Sequence, residues 1–193
     1  MARLTLSTHE EVTLWNQFRQ DDDASFARLY QCYVQLLYNY CTQFTVDKAL
    51  IKDCIHDLFV ELWQHRRTLG DTTSVRYYLM ASIKRKLVRH LNALQKNTSS
   101  EEIPLEYHHL YTNSSESAVI HQEEYVQTST HLNEALEKLP RRQREAIFLK
   151  FYVNMTNEEI STFMKINIQS VYNLVFGALN NMKKHLSPDL VII

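Results

Sequence analysis

With 193 residues, 45% of them hydrophobic and 22% charged, the chain can build one mid-sized or two small packed domains. Two glycines and three prolines exclude the many tight turns of a sandwich or barrel, and with them a phosphate-cradling glycine loop or a dinucleotide fingerprint. Twenty-one Lys and Arg against 22 Asp and Glu, no apolar run of membrane-spanning length and a polar start without a secretory core point to a soluble, cytoplasmic protein with no direct membrane insertion. The expected fold is all-α. Val12, Trp15 and Phe18 line a short first helix, which Asp21, Asp22 and Asp23 close while opening the next. The second helix spaces Phe26, Leu29, Tyr30, Tyr33, Leu36, Leu37, Tyr40 and Phe44 by three and four residues, as a core-facing stripe requires. A third repeats the pattern with Ile51, Cys54, Ile55, Leu58, Phe59, Leu62 and Trp63. Gly70 follows in a polar loop, where glycine can end a helix or accept a positive φ. A fourth helix over 74–94 carries Val75, Leu79, Ile83, Leu87, Leu91 and Leu94 inward, completing a four-helix N-terminal bundle.

Beyond it the chain turns to Ser, Thr, Asn and Glu around Pro104, a composition too poor in apolar residues to offset its ordering entropy. The predicted organisation is therefore a domain over 1–96, a flexible acidic linker over 97–128 and a second small helical domain over 129–193. That second domain starts with Leu132, Ala135, Leu136 and Leu139, and Pro140 suits the first position of a helix presenting Ala146, Ile147, Phe148 and Phe151 inward. Thr156 and Glu159 have the spacing of a capping box that opens a short helix, and Asn167 can cap a last one after the turn Lys165, Ile166, Asn167.

Charge is strongly partitioned. Residues 76–96 carry six basic and no acidic side chains, 97–140 one and eight, and 141–193 seven and four. A polyanion such as DNA would be drawn to the first block and more weakly to the last, although solvated helix faces would look the same. Placement on the elements decides. Two short helices joined by a tight turn make a helix-turn-helix, whose second helix can enter the major groove. Its outward Gln169, Ser170, Tyr172, Asn173 and Phe176 suit base and phosphate contacts, and Arg141, Arg142 and Arg144 add phosphate-binding charge on a neighbouring helix. On the fourth helix Tyr78, Ser82, Arg85, Arg89, Asn92 and Lys96 share the side opposite the apolar stripe. An aromatic among cations fits unstacked bases, the bland alternative being a solvated basic helix with Tyr78 half-packed.

Catalytic readings are weaker. The three cysteines, Cys32, Cys41 and Cys54, are an odd set without C-x-x-C spacing, so neither a disulfide framework nor a zinc site follows, and no cofactor or metal is expected. His56 and Asp57 form the dipeptide of metal-dependent helical phosphohydrolases, but that chemistry needs further converging His and Asp ligands. A stand-alone helix-turn-helix regulator of transcription is the other alternative. The expectation is a protein that is not an enzyme.

Taken in order, the segments resemble the extracytoplasmic-function (ECF) branch of bacterial RNA polymerase sigma factors, in the sigma-70 superfamily. DDDASFARLYQCYVQLLYNYC resembles the family's first helix, ALIKDCIHDLFVELWQHR its polymerase-docking segment, and VRYYLMASIKRKLVRHL the segment that melts and reads the minus-ten element. LPRRQREAIFLKFYVNMTNEEIS is similar to the start of the domain that reads the minus-thirty-five element, and QSVYNLVFGAL to the iron-citrate-type subgroup found in Bacteroidetes. The resemblance implies that Asp53, His56 and Asp57 face the clamp of core polymerase. It further implies that Gly70, Asp71, Tyr78, Lys84, Arg85 and Arg89 serve the minus-ten element, with a flipped base held near Gly70, Asp71 and Arg85. Gln169 to Asn173 would enter the major groove of promoter DNA. Three positions depart from the family's pattern: His56 stands where Gln is common, Arg85 where Asn is frequent and Gly177 where a basic residue is usual. Arginine does not present asparagine's paired donor and acceptor. The acidic linker would run through the polymerase's RNA-exit channel, and an anti-sigma factor, often membrane-anchored, would hold the protein inactive.

Overall fold

A computed structural model describes residues 6–97 and 132–186, which fall into two compact units. Among the described residues the regular elements are all helical. The linker expected over 97–128 lies outside them, apart from Asn97, where the fourth helix ends.

The first unit holds α1 (Thr8–Arg19), α2 (Asp23–Cys41), α3 (Lys48–His65) and α4 (Val75–Asn97). Each start has a local cause. Ser7 and Glu10 form a reciprocal capping box on α1, the Asp22 carboxylate accepts from Ser25 N–H on α2, and Asp47 accepts from two amides of α3. Ser74 does the same for α4, its Oγ accepting from Tyr77 N–H. Asp21 takes a left-handed φ of 70°, which turns the chain sharply between α1 and α2.

The four helices close around Trp15, Phe18, Leu37, Tyr40, Ile51, Leu79 and Leu87, all essentially without solvent contact. Phe18 stacks on Phe26, which meets Phe59 and Trp63, so α1, α2 and α3 share one aromatic seam. The expected stripes hold with three differences. α2 stops at Cys41 and Phe44 is buried from the turn beyond it. Tyr30 is 41% exposed because it lies edge-on over Phe59 at the rim, and Leu94 is 54% exposed. Cys41 and Cys54 are buried, and burial pushes both thiols up from their ordinary range.

In the second unit α5 (132–137) leads through Pro140 into α6 (Arg141–Ile147), followed by α7 (Asn157–Met164) and α8 (Ile168–His185). Ala135, Leu136, Leu139, Ile147, Ala178 and Met182 form its core. Pro140 is the cap residue of α6, one position earlier than expected. α6 widens into a π-turn over Phe148–Tyr152. The extra residue per turn rotates the register, burying Phe148 and Leu149 while leaving Phe151 48% exposed, so the inward position expected for Phe151 is corrected.

Candidate nucleic-acid interface

The fourth helix earns its place in a site through what lies beside it. Val75, Leu79, Ile83 and Leu87 anchor α4 in the core, so the residues between them are carried to the other side. There Tyr78, Ser82, Arg85, Lys86 and Arg89 line a groove of about 310 Å³ against Glu61, His65 and Leu69 of α3 and its following loop. That is the small end of the range for ligand pockets. Lys86, only 11% exposed, donates to Glu61 at 2.7 Å and spends its charge locally. Among the described residues neither Arg85 nor Arg89 is paired with a carboxylate, and Arg85 donates to Ser82 Oγ at 3.1 Å. The groove thus offers an aromatic wall, apolar floor and cationic rim, the combination that stacks a base and holds its backbone.

Tyr78 is half-buried, its ring 5.0 Å from Trp15, so one side is packed and another meets the groove. Gly70 and Asp71 lie just past Leu69 in the loop before α4. Gly70 has no positive φ and an added Cβ would meet nothing within 4 Å. The conformational reason expected for this glycine is therefore absent; its carbonyl instead accepts from the Trp15 indole N–H at 3.1 Å. Asp71 pairs with Arg19. Lys84 is half-buried on α4 and does not line the groove. Sequence reasoning missed Glu61, His65 and Lys86 as groove residues: α3 alone presents the first two as ordinary surface polar groups, and Lys86 lies at the edge of the α4 face that Tyr78, Ser82, Arg85 and Arg89 define.

On the outer side of α3, Asp53, His56 and Asp57 are all exposed, alternating with the buried Ile51, Cys54, Ile55 and Leu58. Val60, 37% exposed, extends the same face by one turn. One helix therefore carries a solvent-facing acidic strip and a wall of the groove. Among the described residues no group of three or more His, Cys, Asp or Glu could hold a metal ion.

The second unit presents α8. The Thr156 and Glu159 capping box holds the start of α7, Lys165 ends it with a left-handed φ of 54°, and Asn167 Oδ1 accepts from Ser170 N–H at 2.7 Å to start α8. These caps set the turn that makes a helix-turn-helix. Gln169, Tyr172 and Asn173 are exposed on α8, and Ser170 is half-exposed. Gln169 Nε2 donates to Asn173 Oδ1 at 3.3 Å, so the two amides lie side by side on one face. Phe176, 68% exposed, continues it. Arg141 and Arg142 are exposed at the start of α6, whereas Arg144 turns inward and donates to the carbonyls of Leu136, Glu137 and Leu139. That guanidinium closes the end of α5. At Gly177 an added Cβ would stand 3.1 Å from the amide of Gln143, which also accepts from Asn181. The small residue lets α6 and α8 approach at that point.

Residues 29–97 match the family described as Sigma-70 region 2, and residues 131–182 match Sigma-70, region 4. Among curated proteins the chain is similar to the ECF RNA polymerase sigma factor RpoE of Cereibacter sphaeroides, 21% identical over 86% of this chain and 88% of that one. The chain belongs to the sigma-70 family, in its ECF branch. It is an RNA polymerase sigma factor, from a family that is not enzymatic in general.

The fold is shared with two solved structures, each at 17% identity and a TM-score of 0.58. One is CnrH in complex with the cytosolic domain of CnrY, covering 93% of this sigma factor and 98% of that chain. The other is the sigma factor RpoE of Bartonella quintana in complex with the anti-sigma factor NepR, covering 85% and 98%. In the sigma factor's region 2 match lie α3 and α4 with the groove between them, and in its region 4 match lie α6, α7 and nearly all of α8. Among the described residues no helix is long and apolar enough to cross a membrane.

Proposed function

We propose that this sigma factor divides promoter recognition among three surfaces. Residues 1–96 dock on core polymerase and open the minus-ten element, 97–128 tether the two domains, and 129–193 read the minus-thirty-five element. The observation that carries the reading is the groove between α3 and α4, where Tyr78 meets Ser82, Arg85 and Arg89 in a space of about 310 Å³. An extruded minus-ten base enters this groove, with Tyr78 and Arg85 against its faces and Arg89 and Lys84 toward the backbone. Gly70 and Asp71 border the entrance. Unstacking a base costs a few kcal/mol, which the contacts of the whole assembly offset. Asp53, His56 and Asp57 face the polymerase clamp, away from the groove-lining side of α3.

In the second domain Gln169, Ser170, Tyr172 and Asn173 enter the major groove, the two amides addressing adenine edges. Arg141 and Arg142 hold phosphates. Arg144 supports that surface indirectly, since its donors are spent on carbonyls at the end of α5 and just beyond it. The linker threads the polymerase's RNA-exit channel. The sigma factor works in the cytoplasm and contributes no catalytic group of its own. The RpoE and NepR complex supports a further partner, an anti-sigma factor.

Run-off transcription tests the reading. Core polymerase from the source organism, given this chain and the DNA upstream of its own gene, should yield a discrete transcript that is absent without the chain. No transcript, together with no association with core polymerase, would overturn it. Tight promoter-specific binding by the isolated chain would instead favour a stand-alone regulator.

A further inference from the structure

The region 2 match begins at residue 29, so α1 precedes it, yet the polar groups of α1 and its following turn converge on one distant stretch, residues 66–76. The Trp15 indole donates to the Gly70 carbonyl at 3.1 Å and Arg19 pairs with Asp71. Asp21, held at φ 70°, accepts from Arg66 Nε at 2.5 Å and Arg67 Nε at 2.8 Å. Glu11, 4% exposed, accepts from Arg76 Nη2 at 2.8 Å and Nε at 3.2 Å, a buried fork at the start of α4. These hydrogen bonds span from 45 to 65 residues of sequence.

The loop they hold has little of its own to define it. Residues 69–74 form no regular element, and Gly70 neither needs nor uses glycine's freedom. Yet this loop delivers Leu69 to the groove, and the Trp15 ring backs Tyr78 at 5.0 Å. Arg19 pairs with an Asp71 side chain that is 90% exposed, a geometry that adds little to folding. Its consequence is where the loop sits.

We infer that α1 is a positioning element for the groove, with Trp15 and Arg19 holding the 69–71 loop in the arrangement that receives an extruded base. The inference rests on the promoter-opening reading above. A groove formed in advance binds without first ordering a loop, so loosening the loop weakens capture while leaving duplex recruitment intact.

The test uses the full chain with core polymerase on two templates, its duplex promoter and the same DNA with the minus-ten region pre-opened by mismatches. Opening is followed by 2-aminopurine fluorescence, and folding by urea unfolding. Trp15→Phe keeps a ring and removes the donor, Arg19→Met removes the charge, and Arg19→Lys retains it. Trp15→Phe and Arg19→Met should slow opening of the duplex about tenfold and act less than about twofold on the pre-opened template. Arg19→Met should keep a near-normal unfolding midpoint, whereas Trp15→Phe shrinks a buried ring and should lower it. Arg19→Lys should recover most of the loss. Wild-type rates in both variants, or equal losses on the two templates, would overturn the inference while wild-type opening still stands. Failure of the wild-type chain to open the promoter would remove the underlying reading and the inference with it.

Discussion

In the second unit, α8 is set by contacts between near neighbours: Thr156 with Glu159, Lys165 in its left-handed turn, Asn167 with Ser170. In the first unit, α4 also has a local cap, Ser74 on Tyr77, but its first turn and the loop before it are held by partners far away in sequence: Glu11 on Arg76 across 65 residues and the Trp15 indole on Gly70 across 55. Both arrangements leave an outward helix face exposed. The local one gives a small rigid turn that any flanking chain could carry. The distant one couples a helix, a loop and a groove, so that a change in α1 is felt at the rim of the groove.

The largest effect should come from breaking the distant coupling at its buried point. Glu11→Ala leaves the Arg76 guanidinium, 16% exposed, without its carboxylate and should destabilise the first unit by about 3–5 kcal/mol in urea unfolding. Protection of α6 to α8 amides in hydrogen exchange should be unchanged.

Breaking the local arrangement should cost less. Thr156→Ala removes the acceptor for Glu159 N–H and Asn167→Ala the one for Ser170 N–H; each should cost about 1 kcal/mol, confined to the second unit. A loss of this size in the first unit as well would show the two units to be coupled.

Smaller again is the acid dependence of the turn after α1. Hydrogen bonds from Arg67 and then Arg66 hold the Asp21 carboxyl below its ordinary 3.8. With the folded value depressed, its contribution is complete above pH about 4 and fades as pH falls through that lower value. The stability difference between the wild type and Asp21→Asn should therefore be constant above that pH and shrink below it, measured as unfolding midpoints across an acid series.

The glycines should matter least. Gly70→Ala meets no neighbour and should shift stability by less than about 0.5 kcal/mol. Gly177→Ala gains helix propensity of about 1 kcal/mol, against a few tenths of an ångström of movement by the flexible Gln143 amide, and should be neutral or slightly stabilising.

This contrast also explains what could be read from the amino acids alone. The all-α class, the helix starts and the helix-turn-helix were legible because their determinants lie within four residues of each other. So was the outward set on α8. The groove was half legible: Tyr78, Ser82, Arg85 and Arg89 follow from the period of α4, but Glu61 and His65 join them only through packing of α3 on α4, which also pairs Lys86 with Glu61. Nothing near Arg144 in sequence shows that its donors turn back to α5. The exposure of Phe151 depends on a π-turn, which a regular helical period cannot anticipate. Gly70 was expected to serve backbone freedom, whereas it serves as an acceptor for an indole 55 residues earlier.

The central claim is that the groove between α3 and α4 receives a base taken out of the promoter duplex. Arg85→Ala addresses it most directly, because Arg85 is exposed on the groove and among the described residues pairs with no carboxylate, so its loss should leave the fold intact. Polymerase carrying the variant should still be retained on duplex promoter, while base extrusion in the minus-ten element, read by 2-aminopurine fluorescence, falls on the order of tenfold. Equal loss of retention and extrusion, or no loss of either, would contradict the account.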